Sequence, residues 1–146
     1  MMKIVLMIFI AAITGSVEWL NNIEAAKTIA QENHKYILLN FSGSDWCAPC
    51  IKMKQEVFEN DAFLTIAEKQ LVLLRADFPR AKKNQLSKEQ QKHNEGLAEK
   101  YNPTGKFPCT LLLDADGKIL KEWDGYTFSS QDKFISQLSR ELKVED

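Results

Sequence analysis

Cys47 and Cys50 stand two residues apart in Trp46-Cys47-Ala48-Pro49-Cys50. Two thiols at that spacing can close a small disulfide ring or supply half of a zinc site. Zinc would need a second Cys/His pair, and Cys109, His34 and His93 lack ligand-like spacing. A purely structural disulfide is a third possibility, but a turn into a helix needs no such staple. Redox exchange fits the surroundings best. The pair follows an apolar run and opens a helical pattern, which puts Cys47 at a helix N-terminus. Unpaired backbone N–H groups and the helix dipole favour a thiolate there. Such placement lowers a cysteine pKa from about 8.5 toward about 7 or below. The thiolate is the species that attacks a disulfide. Cys50, one turn inside, would be shielded and would resolve the mixed disulfide. Pro49 suits the first helical turn. Trp46 would lie beside the exposed sulfur as a flat apolar contact.

The elements that must position this pair follow from periodicity. Ile23, Ala26, Ile29 and Ala30 predict an amphipathic helix over residues 22–33. Residues 36–42 (YILLNFS) and 71–77 (LVLLRAD) read as buried, parallel-type strands. A helix is expected from about Cys47, with Ile51, Lys54, Val57 and Phe58 along one side. Asn60–Asp61 offers an N-cap for a short helix over 62–69. Residues 79–95 are rich in Lys, Gln and Asn. They read as a solvated loop leading into a surface helix that starts at Ser87, where Ser87 and Gln90 fit a capping box. Only Leu97, Ala98 and Tyr101 look able to pack there. Arg80, Lys82, Lys83, Lys88 and Lys92 form a basic stretch that reads as a solvated face rather than a docking patch. Residues 110–113 and 119–123 form a hairpin around Asp114-Ala115-Asp116-Gly117. Ser129 is the expected cap of a last helix carrying Phe134, Ile135, Leu138 and Leu142. Alternating elements first and a hairpin last predict an α/β fold, with a mixed central β-sheet flanked by helices on both faces.

The whole chain has 146 residues, 19 Lys+Arg, 20 Asp+Glu and three cysteines. That is one domain's length. A formal charge of −1 excludes a polyanion binder driven by bulk charge, so no nucleic acid is expected. Three cysteines are too few for a disulfide framework. At the N-terminus, Lys3 precedes ten apolar residues, Ile4–Ile13, and small residues follow at Thr14, Gly15 and Ser16. That is the layout of a secretory signal, and it is shorter than a membrane span. The expected division is a signal peptide at 1–16 and one domain at 17–146. The domain would work in a disulfide-permissive space, expected to be the bacterial periplasm; an uncleaved segment would keep it anchored.

The motif FSGSDWCAPC after a buried strand, with FPCTLLLDADGK some sixty residues later, resembles the thioredoxin superfamily. More narrowly, it resembles secreted thioredoxin-like proteins related to the C-terminal domain of bacterial thiol:disulfide interchange proteins. The likeness spans residues 18–142. It implies a thioredoxin fold, Cys47 and Cys50 as the catalytic pair, and a cis bond before Pro108. It also implies that Trp46, Ala48, Pro49, Phe107, Pro108 and Cys109 face the substrate, whose extended segment pairs with the backbone there. No organic cofactor is implied beyond the Cys47–Cys50 disulfide, since there is no G-x-G-x-x-G stretch. The implied partners are disulfide-containing proteins and a thiol donor protein, with the domain monomeric.

Three departures from the family pattern matter. Asn40 stands where many thioredoxins carry a buried acid that moves the proton of the resolving thiol; Asp45, Glu56 or water would have to substitute. No His lies between the cysteines, which points to a less oxidising site and to reduction or isomerisation rather than net oxidation. Cys109 follows the expected cis-proline where Thr is common, and its sulfur is expected near the Cys47–Cys50 pair. It is either a small stand-in for Thr, a transient partner of Cys47, or part of a soft-metal site. His34 and His93 are expected on the surface. Two alternatives stand beside the oxidoreductase: a binding or chaperone module with an apolar lip, and a metal carrier using Cys47, Cys50 and Cys109.

Overall fold

The computed structural model describes residues 17–143; the expected signal at 1–16 lies outside them. The elements in order are β1 (Trp19–Leu20), α1 (Ile23–Asn33), β2 (Tyr36–Ser42), α2 (Ala48–Met53), α3 (Asp61–Gln70), β3 (Leu71–Asp77), α4 (Lys88–Tyr101), β4 (Cys109–Leu113), β5 (Ile119–Asp124) and α5 (Gln131–Glu141). A π-helical turn, Lys54–Phe58, continues α2. A 3-10 turn, Lys82–Asn84, interrupts the loop before α4.

One five-stranded sheet runs in the order β1-β3-β2-β4-β5. β3 pairs in parallel with β1 and β2, while β4 lies antiparallel to β2 and β5. β2 is the central strand, with six of its seven residues buried. Side chains alternate between the two sides of a strand. Ile37, Leu39, Phe41, Val72, Leu74, Cys109, Leu111 and Leu113 therefore pack under α1 and α4. Leu38, Leu73 and Leu112 pack under α2, α3 and α5 with Met53, Val57, Phe63, Phe134 and Leu138. Each such Leu contributes about 1.5–3 kcal/mol on burial. The thioredoxin fold, with helices on both faces, is the observed architecture.

The boundaries depart from expectation where tertiary contacts decide. β1 is only two residues long and gains its ladder from β3. The π-turn puts Val57 and Phe58 side by side in the core, while Ile51 and Lys54 are exposed. Ser87 Oγ accepts from the Gln90 N–H at 3.1 Å, but the Gln90 amide reaches Asn21 O and Asn94 Oδ1 instead of completing the capping box. Ser130, not Ser129, precedes α5, without a side-chain cap bond. Ser129 has φ 62° and donates its N–H to Glu56 Oε2. Gly117 has φ 90° in the hairpin turn as expected, and its carbonyl accepts from Tyr101 OH at 2.7 Å.

Candidate active site

β2 ends at Ser42, and Gly43-Ser44-Asp45-Trp46 turns the chain into α2. The Gly43 carbonyl accepts from both the Trp46 N–H (3.2 Å) and the Cys47 N–H (2.9 Å). Gly43 is required for a steric reason: a Cβ there would overlap the Trp46 indole. Cys47 is the N-cap of α2 and is bonded to Cys50, with their Cα atoms 5.2 Å apart. The Cys50 N–H points at Cys47 Sγ at 3.3 Å. The first-turn donor that would steady a Cys47 thiolate is thus in place. Cys47 is 5% exposed and Cys50 4%. The expectation of an open nucleophile over a shielded partner is therefore not seen in this oxidised state.

Trp46 is not the bare apolar contact expected beside the pair. Its Nε1–H donates to the Phe78 carbonyl at 2.7 Å. Its ring meets Phe107 edge-on at 5.3 Å, and the Arg80 guanidinium stacks over it at 3.7 Å. Phe107-Pro108 is a cis peptide bond, as expected. The Pro108 carbonyl accepts from the Gly125 N–H, which ties this corner to the end of β5. Ala48 is exposed and Pro49 half-buried in the first turn of α2.

The three candidate substitutes for a buried acid separate cleanly. Asn40, buried opposite Thr110, donates its amide to the Thr110 hydroxyl at 3.0 Å. Asp45 is turned away: it accepts from the Arg80 N–H (2.9 Å), the Ala81 N–H (2.8 Å) and the Asn84 amide (3.0 Å). Those bonds, led by the Arg80 N–H, hold its carboxyl below the usual range. Glu56 accepts from Tyr126 OH and the Ser129 N–H, which hold it low too. Neither carboxylate faces Cys50. Instead, a polar cleft of about 290 Å³ opens beside Cys50, lined by Asn40, Ser42, Ser44, Lys54, Glu59 and Arg75 among others. With Asp45 and Glu56 turned away, this cleft, which Glu59 also lines, is the polar space open to Cys50. Arg75 stacks on Trp19 at 4.0 Å, and its buried Nε lacks a hydrogen-bond partner among the described residues.

Cys109 corrects an expectation. Its side chain is fully buried in the cluster under α1 and α4, the face opposite Asn40 and Thr110. Its thiol donates to Glu122 Oε1 at 3.7 Å. Burial, then the nearby Glu122 charge, pushes its pKa up to about 12. Of the three readings, this burial on the far face fits a small stand-in for Thr and not a transient partner of Cys47. Among the described residues, no three His, Cys, Asp or Glu side chains converge as metal ligands, so a three-thiolate site is not assembled.

His34 is exposed as expected, in a left-handed position closing α1. His93 is not a free surface residue: its Nε2 accepts the Ile23 N–H at 3.1 Å, stitching α4 to α1. Sequence reasoning missed Arg80 and Gly43. Gly43 could have been flagged by its place just before the motif; nothing local links Arg80 to Trp46, thirty-four positions apart.

A redox pair at the start of α2 and a cis-proline corner are the features of a thioredoxin-fold thiol:disulfide oxidoreductase. The family model for a thioredoxin-like domain matches residues 23–140, and the chain belongs to that family. It is 33% identical over 130 residues to the disulfide bond reductase DsbH of Chlamydia pneumoniae, covering 89% of this chain and 75% of that protein. It is similar to a solved structure of a DsbH oxidoreductase, with a TM-score of 0.75 and 30% identity over 90% of this chain and 88% of that one. The oxidised C-terminal domain of Neisseria meningitidis DsbD shares the fold, with a TM-score of 0.55 and 21% identity over 81% of this chain and 90% of that one.

Proposed function

We propose that this protein reduces, and in doing so also reshuffles, disulfides of proteins outside the cytoplasm. The observation that carries the proposal is the Cys47–Cys50 pair at the start of α2, with the Cys50 N–H aimed at Cys47 Sγ. In the reduced protein the Cys47 thiolate attacks one sulfur of a substrate disulfide. The substrate S–S bond breaks, and its second sulfur leaves and takes a proton. Cys50, deprotonated by water from the polar cleft, then attacks Cys47 Sγ. The substrate's first sulfur leaves as a thiol and the Cys47–Cys50 disulfide forms. Two electrons have passed to the substrate, and a dithiol donor protein of the same exchange pathway must return them.

Phe107 leaves its backbone N–H and C=O without partners among the described residues. Its place beside Trp46 suits strand-like pairing with an extended substrate, next to Ala48, Pro49, Pro108 and Trp46. Cys109 serves this corner by packing. The reductive direction is supported by Ala48-Pro49 between the cysteines and by the name of the relative DsbH. Residues 1–16 would direct the chain to the periplasm.

The test is the reduction potential of the Cys47–Cys50 pair in glutathione buffers. A value near the thioredoxin figure of about −270 mV supports a reductase. A value near about −120 mV would make the protein a net oxidase and overturn the direction.

A further inference from the structure

The lip beside the redox pair is cationic. Arg80 lies flat on Trp46 at 3.7 Å, a stacked geometry that suits a guanidinium. The backbone around it is fixed by Asp45, two residues before Cys47, through the Arg80 and Ala81 N–H groups and the Asn84 amide. The 3-10 turn Lys82–Asn84 follows at once, so Lys82 and Lys83 project from a loop tethered to the active-site turn. Both lysines and Arg80 are exposed. Among the described residues, no carboxylate lies within 4.0 Å of any of the three.

The acids around the site already have partners. Asp45 and Asp77 turn inward onto backbone N–H groups. Glu59 pairs with Lys54, and Glu122 and Asp124 pair with Lys106. Three unpartnered cations on a braced loop next to the nucleophile differ from a freely solvated face, where chain entropy cancels much of any pairing.

We propose that the loop Arg80–Lys83 is a specificity element that selects polypeptide disulfides flanked by acidic residues. This deepens the reductase reading and rests on it. A substrate strand lying along Phe107 and Trp46 would bring carboxylates one or two residues from its cysteine against Arg80, Lys82 and Lys83. Three exposed charge pairs together are worth on the order of ten-fold, mostly in the rate of encounter, and they weaken with salt.

The experiment uses two synthetic peptides that each hold one disulfide and differ only in Glu or Lys at the flanking positions. kcat/KM is measured for the wild type and for the triple variant Arg80→Gln, Lys82→Gln, Lys83→Gln, at low and high salt. The wild type should favour the acidic peptide by about ten-fold at low salt, and the preference should fall with salt. In the triple variant the preference should shrink to less than about two-fold. Equal wild-type rates, or a preference that survives in the variant, would overturn the proposal.

Failure to reduce either peptide would sink the reductase reading instead. The lip would then be judged by titrating cysteine-free versions of both peptides and following the NMR signal of the Trp46 indole N–H. A shift with the acidic peptide alone, absent from the variant, supports the lip. No shift overturns it.

Discussion

On the sheet face under α2, strand alternation sets Asn40, Ser42, Arg75 and Thr110 below the redox pair, beside an open polar cleft. On the face under α1 and α4, the same strands set Phe41, Ala76, Leu111 and Cys109, all fully buried and closely packed. One sheet thus carries two kinds of cysteine. Cys50 lines the polar cleft; Cys109 is fully buried, and burial beside the Glu122 charge raises its pKa. The lesson is that a thiol's environment here follows the strand face beneath it more than its distance along the chain from the motif.

The largest effect should come from exchanging one kind of cysteine for the other. Cys47→Ser should lower turnover of a disulfide peptide by more than about a thousand-fold, since no thiolate remains to attack. Cys109→Ala should keep turnover within about two-fold and lose roughly 1 kcal/mol of stability in urea. Comparable activity losses in the two variants would erase the distinction.

A second change would make the polar face more like that of other thioredoxins. Asn40→Asp sets a carboxyl opposite Thr110 and beside Cys50. It should add an ionisation to the pH profile of mixed-disulfide resolution. Burying the new acid should cost about 1–3 kcal/mol. An unchanged profile would mean that water in the cleft dominates even when an acid is present.

Gly43→Ala probes the turn that joins the two faces to the motif. Its Cβ would displace the Trp46 indole, at a cost of about 1–3 kcal/mol by chemical denaturation. The indole's bond to Phe78 should break with it, seen as a shifted indole N–H resonance.

The smallest effect concerns Asp45. Its carboxyl sits below the usual range in the folded protein, so its bonds to the basic loop stabilise at neutral pH. That contribution is lost as pH falls through the lowered folded value. The stability gap between wild type and Asp45→Asn should therefore be present at pH 7 and close on acidification. A gap that widens in acid would reverse the sign and refute the tether.

Much of this was legible in the chain. The central strands at 36–42 and 71–77 match their observed limits, because apolar runs of that length have one use in a compact α/β domain. The cis bond at Phe107-Pro108 and the position of Cys47 at a helix start also follow from local motif and resemblance. The two-residue β1, the π-turn at Lys54–Phe58 and the roles of Asp45, Glu56 and His93 were not legible. Each depends on partners more than about thirty residues away or on packing of one side chain against another.

The sequence by itself determined the chemistry available: a CxxC pair at a helix start, no acid at position 40, and a third cysteine after a proline. Tertiary structure alone decided which cysteine is buried in the far cluster, which acids are engaged, and that Arg80 covers Trp46. The physical reason is that residue type and spacing set local backbone preference and periodicity. Proton affinity and accessibility depend instead on the dielectric, the charges and the hydrogen-bond partners that distant segments bring together on folding.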